Sequence, residues 1–140
     1  MSASAMLDAL VTVLSAASCF GASMVGKSTY DVLDRASGSC AVVSPGSYKS
    51  VVDTMGLSTT DQLDISLEMW VKDNGDVSTF HARVVRMIDT TASTLRSNLH
   101  LLGTGEIYEF NASYQSGRAL EHGGNIWVPF PATITTKEYS

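Results

Sequence analysis

Leu63-Asp64-Ile65-Ser66-Leu67-Glu68-Met69-Trp70-Val71-Lys72, followed by the turn residues Asp73-Asn74-Gly75-Asp76 and by a stretch running to Leu95, is the part of the chain whose reading decides the fold. Leu63, Ile65, Leu67, Met69 and Val71 fall on every second position, and Asp64, Ser66, Glu68 and Lys72 alternate with them. A strict period of two over this length describes a half-buried strand, with one face on a core and the other toward water or a partner. Trp70 is the one large apolar residue on the polar side. Asn74-Gly75 suits the positive φ of a tight turn. Beyond it Phe80, Val84, Ile88 and Leu95 recur at helical spacing, flanked by Val85, Met87, Thr91 and Ala92, with Asp76 or Ser78 placed to cap the first amides. Strand, turn and helix form a nucleus that flanking strands can extend.

The chain has 140 residues, 44% of them hydrophobic and 16% charged. That length and composition describe one globular domain, 1–140, with a modest core. The low charged fraction suggests that partners cover some of the surface. The net charge of −5 comes with no run of Lys or Arg, which argues against direct binding of nucleic-acid phosphates. Cys19 and Cys40 have no metal-ligand spacing and read as small buried residues.

Upstream of the nucleus, Leu7, Leu10, Val11 and Leu14 follow helical spacing. Asp8 lies inside this apolar stretch and no Lys or Arg precedes it, so the segment reads as an N-terminal amphipathic helix of a cytoplasmic product rather than a secretory signal. It is also too short and Ser-rich to span a membrane. Gly21-Ala22-Ser23-Met24-Val25-Gly26-Lys27-Ser28 fits the phosphate-binding pattern G-x-x-x-x-G-K-[ST] letter for letter. Its context disagrees, since no buried strand leads into Gly21 and no long helix follows Ser28. The stretch reads as a Gly/Ser-rich connector into the first strand. Cys40-Ala41-Val42-Val43 is a short strand ended by the turn signal Ser44-Pro45-Gly46-Ser47, and Asp53 to Asp61 is a surface loop.

Downstream, Leu99, Leu101 and Leu102 are expected to close on the core before Gly103-Thr104-Gly105. Tyr108, Phe110, Ala112 and Tyr114 form one face of a strand, and Ile126, Val128, Phe130, Ala132 and Ile134 one face of another. Pro129 and Pro131 on the second strand cannot donate to a ladder, which points to an edge strand or one bare on one side where it begins. The expected architecture is thus α+β: a mostly antiparallel sheet of about four strands carrying an N-terminal helix and one long central helix.

No catalytic constellation emerges. His81, His100 and His122 lie in different elements without a nucleophile or an orienting carboxylate at a recognisable spacing. Asp73-Asn74-Gly75-Asp76 lacks the register and the distal Glu of a calcium loop. Asn111-Ala112-Ser113 is a glycosylation sequon within a strand pattern. The expectation is a protein that is not an enzyme and holds no cofactor or metal.

The order helix, short strand, loop, long strand, turn, long helix and two further strands resembles the tail terminator (tail-completion) proteins of long-tailed bacteriophages. The resemblance covers nearly the whole chain and lies in order and spacing, most closely at Tyr30 to Pro45, Leu63 to Ser97 and Ile126 to Tyr139. It implies a homo-hexameric ring that caps the tail tube, stops its polymerisation and forms the surface on which the head-completion (stopper) protein docks. Its place would be the virion's head–tail junction, assembled in the host cytoplasm. The partners implied are further copies of the chain, the tail tube protein and the stopper, with DNA passing through the lumen without specific binding and no membrane involved. Trp70, Trp127, Pro129 and Pro131 are candidate interface residues, with packing under a loop of their own subunit as the alternative for the tryptophans. Glu68, Asp73 and Asp76 are candidate lumen-facing acids. Other readings are a neck connector or tail-tube subunit, a nucleotide-binding protein using Lys27 and Ser28, and a host-side binding module with a small-molecule pocket.

Overall fold

A computed structural model describes residues 3–20, 25–35, 38–52 and 59–139. The elements run α1 (Ala3–Ser15), β1 (Val25–Gly26), α2 (Thr29–Arg35), β2 (Ser39–Val52), β3 (Thr59–Asp73), α3 (Val77–Arg96), β4 (Glu106–Ala112), β5 (Leu120–His122) and β6 (Asn125–Tyr139), with a 3-10 turn at Leu101–Gly103. The fold is α+β: a six-stranded, mostly antiparallel sheet in the order β1-β2-β3-β6-β4, with β5 also on β6. Among the described strands only the β1–β2 contact is parallel.

β3 is the strand that the period-two pattern requires, and Leu63, Ile65, Leu67, Met69 and Val71 are all buried on one face. That face carries both long helices. α1 contributes Met6, Leu10 and Leu14, and α3 contributes Val84, Met87, Ile88 and Leu95, with Phe130, Ala132 and Ile134 of β6 beside them. Fully burying each such aliphatic side chain stabilises the fold by roughly 1.5–3 kcal/mol before the entropy of ordering it. α3 begins where Asp76 accepts from the amides of Ser78 and Thr79, satisfying donors that the first turn leaves open. Gly75, at φ 87°, makes the turn that frees Asp76 to cap.

Five expectations are corrected. β2 does not end at Ser44-Pro45-Gly46-Ser47. It absorbs these residues as a bulge between Pro45 and Tyr48 and continues to Val52. A Cβ on Gly46 would stand 2.5 Å from the Asp64 carbonyl oxygen, so glycine is what lets the bulge close on β3. Of the expected loop, 53–58 lies outside the described residues, and 59–61 already belongs to β3.

β6 is not an edge strand. It lies between β3, which it pairs over its whole length, and β4 and β5 on its other side. Its prolines fall in the gap between β5 and β4, where Ser113 and Gly117 donate their amides to the Pro131 and Pro129 carbonyls. No ladder donor is required of either proline there. On β4, a second bulge between Ile107 and Glu109 turns Tyr108 away from the helices and under the Lys137 ammonium, 3.6 Å from its ring centre. Tyr114 lies beyond the strand and is exposed. Leu101 closes on the core as expected, but Leu99 and Leu102 are exposed.

Candidate assembly surface

The sheet has unlike faces. Opposite the helices, its lower end carries a second small core in which Val32 and Leu33 of α2 cover Cys40, Val42, Trp70 and Trp127, with Leu120 of β5 against them. Trp70 is 5% exposed and Trp127 1%. Of the two readings left open for these tryptophans, interface anchors or packing within their own subunit, the structure has the second, and it is α2 and β5 rather than a loop that cover them. Pro129, the register partner of Trp70, is buried as well, and its ring meets the position a Gly117 Cβ would occupy, at 3.2 Å. Pro131 alone of the four candidate interface residues is exposed. The Trp70 indole N–H is buried without a hydrogen-bond partner, a cost that the apolar packing around it must offset.

Above this second core the same face is open and polar. Register places Ser44, Ser66, Glu68, Thr133 and Asn111 on it, with Asp64 held by the Ser47 hydroxyl at 3.0 Å. Of the three acids singled out in the sequence, only Glu68 belongs to this face. Asp73 is exposed at the end of β3 and accepts from the Gly75 amide. Asp76 is the α3 cap, and the Thr79 hydroxyl and the Thr79 and Ser78 amides hold its carboxyl below the usual carboxylate range. Asp73 and Asp76 thus serve the turn. The structure does not bring the three together as one surface.

The sheet also has two outer edges. On β2, β1 covers only Ala41 and Val42, and among the described residues no strand lies beyond Val43. Tyr48, Val51 and Val52 of this stretch are all large, apolar and exposed. On β4, the Leu99 carbonyl accepts from the Ile107 amide, and no described strand pairs with the outer side of the residues that follow. Sequence reasoning missed the β2 edge because it ended the strand at the Pro-Gly pair. The signal was present in Tyr48, Lys49, Val51 and Val52, which continue a strand-like composition past the apparent turn.

The described histidines lie apart from one another. His81 is exposed; His100 lies 3.7 Å from Glu106, both at the surface; and the His122 imidazole contacts the Asp34 carboxylate. Among the described residues no three His, Cys, Asp or Glu side chains converge as metal ligands. Both cysteines are free thiols, and burial pushes Cys40 up to about 12. Of the phosphate-loop pattern, residues 21–24 lie outside the described residues. Lys27 pairs with Asp8 of α1, and Val25–Gly26 forms a strand inside the motif rather than ahead of it. Ser28 leads into α2, a helix of only seven residues. A hollow of about 500 Å³ between α1 and α3 is lined by small side chains such as Thr12, Ala16, Thr90 and Ser93, with no charged group converging on it. No described helix is long and apolar enough to cross a membrane.

No protein-family model matches this chain, and no curated protein is significantly similar to it in sequence.

Proposed function

We propose that the chain is a structural virion subunit of the tail-terminator type. Copies of it close a ring, six in the family it resembles, on the end of a finished tail tube at the head–tail junction. There the ring stops tube polymerisation and presents the docking surface for the head-completion protein. The observation that carries this reading is the two-sided sheet. Both long helices lie on one face, while the other keeps an open polar stretch on which, among the described residues, the acids Asp64, Glu68, Glu106 and Glu109 outnumber the bases Lys49 and Lys137. A surface of that kind suits a lumen through which DNA passes without sticking, because phosphate binding requires clustered cations. The central unit β3-turn-α3 is the part of the resemblance that the element order supports, while β2 is longer than the resemblance has it and β1, α2 and β5 are additional to it.

A neck connector or tube subunit would use the same surface. The nucleotide-binding alternative is disfavoured by the engagement of Lys27 with Asp8 and by the brevity of α2. The test is capping. Purified protein is mixed with polymerising tail tube protein from the same phage, and tube length and ends are read by electron microscopy. Capped tubes that stop growing support the proposal; tubes that grow on unchanged overturn it.

A further inference from the structure

On the helix side of the sheet a hollow of about 260 Å³ has two cations and no acid in its described lining. Ser18 and Cys19 after α1, Gly38 and Ser39 at the start of β2, and Arg83 and Arg86 of α3 line it. Ser39 falls on this side because β2 alternates, and Ala41 and Val43 in the same phase pack under the long helices. Arg83 and Arg86 lie three residues apart on α3, so they are neighbours on the helix surface.

Both arginines are exposed, and among the described residues no carboxylate pairs with either. Like charges on neighbouring helix positions oppose each other, and a bound anion removes that cost. The Cys19 thiol brings no competing charge. Burial holds it above its ordinary pKa, and its Sγ donates to the Met87 carbonyl at 3.9 Å. A Cβ on Gly38 would meet nothing within 4 Å, so the space before it is open.

The donors select the ligand. Each guanidinium presents a planar fork of N–H donors, and Ser18 and Ser39 carry hydroxyls. A carboxylate offers two oxygens and one charge. A phosphate dianion matches the two cations and has oxygens enough for both forks and the hydroxyls. The hollow is smaller than the roughly 300–1,000 Å³ of sites for drug-sized ligands, a size for a phosphoryl group rather than a whole nucleotide.

We propose that Arg83 and Arg86, with Ser18 and Ser39, bind a phosphate dianion, free or as a terminal phosphomonoester. The site is separate from Lys27, which Asp8 engages, and from the open face of the sheet. It does not rest on the ring reading.

Isothermal titration calorimetry of the full chain tests it at constant ionic strength and about pH 8, where phosphate is a dianion. Inorganic phosphate and phenyl phosphate are the probes, with acetate as the comparison. Phosphate should bind saturably, one per chain, and about tenfold more tightly than to Arg83→Gln with Arg86→Gln. Ser39→Ala should weaken it less, and Lys27→Ala should leave it unchanged. Circular dichroism confirms the fold of each variant. As a second readout, phosphate should slow alkylation of Cys19 by iodoacetamide in the parent, followed by peptide mass spectrometry. Tighter binding of phenyl phosphate assigns the site to a phosphorylated molecule, and tighter binding of inorganic phosphate to the free ion; either supports it. Four results would overturn it: no saturable phosphate binding, acetate binding as tightly as phosphate, undiminished binding by the double arginine variant, or loss of binding in Lys27→Ala. None of them bears on the ring reading, which the capping experiment decides.

Discussion

Within the single strand β2, Cys40–Val43 and Val51–Val52 inhabit different worlds. The first four residues are buried on both faces, Ala41 and Val43 under the long helices and Cys40 and Val42 under α2 beside the tryptophans. The last two have lost both covers and are 48% and 63% exposed. The ladder to β3 continues through both halves, interrupted only at the Pro45–Tyr48 bulge. The lower half thus carries the fold, while the upper half keeps the strand's geometry without contributing a comparable core.

This contrast can be broken from either side. The largest expected effect is at the lower end, where Trp127→Ala should cost about 3–5 kcal/mol of stability through lost burial and the cavity left behind. Denaturant unfolding of the monomeric chain checks this. A change confined to assembly would instead return Trp127 to the interface. At the hinge between the halves, Gly46→Ala forces a Cβ against the Asp64 carbonyl oxygen. It should cost about 1–3 kcal/mol by overcrowding and perturb the Ser47 and Asp64 resonances in an NMR spectrum.

A smaller effect is expected at the α3 cap. The Asp76 carboxyl titrates below its ordinary value of 3.8 because the folded state donates hydrogen bonds to its charged form. Its contribution is therefore complete above that value and lost as pH falls through the lowered one. Asp76→Ala should lower Tm at neutral pH, and the gap to the parent should narrow in acid. Smallest of all, Val52→Ser at the exposed end of β2 should leave stability within about 0.5 kcal/mol of the parent, as measured by denaturant unfolding.

What could be read in advance follows the same division. The β3-turn-α3 unit was legible because its apolar residues keep one period over many residues and Asp76 sits where a cap belongs. The lower cluster was not, since whether Trp70 and Trp127 are covered depends on α2, a seven-residue helix distant in sequence. Val32-Leu33 held the clue, as an apolar pair able to meet Cys40, Val42 and Trp70 on one face. The upper edge was hidden by Pro45-Gly46, a turn signal that tertiary pairing overrode as a bulge. The prolines of β6 misled in the opposite direction. They forbid a ladder partner only locally, and the chain leaves a gap between β5 and β4 at those residues.

The most direct test of the account is native mass spectrometry of the purified chain across concentration, with and without Mg-ATP. The account predicts a closed species at six times the 14.9 kDa subunit, unchanged by nucleotide. A monomer that gains the mass of a bound nucleotide would contradict it and return Lys27 and Ser28 to the centre of the protein's function.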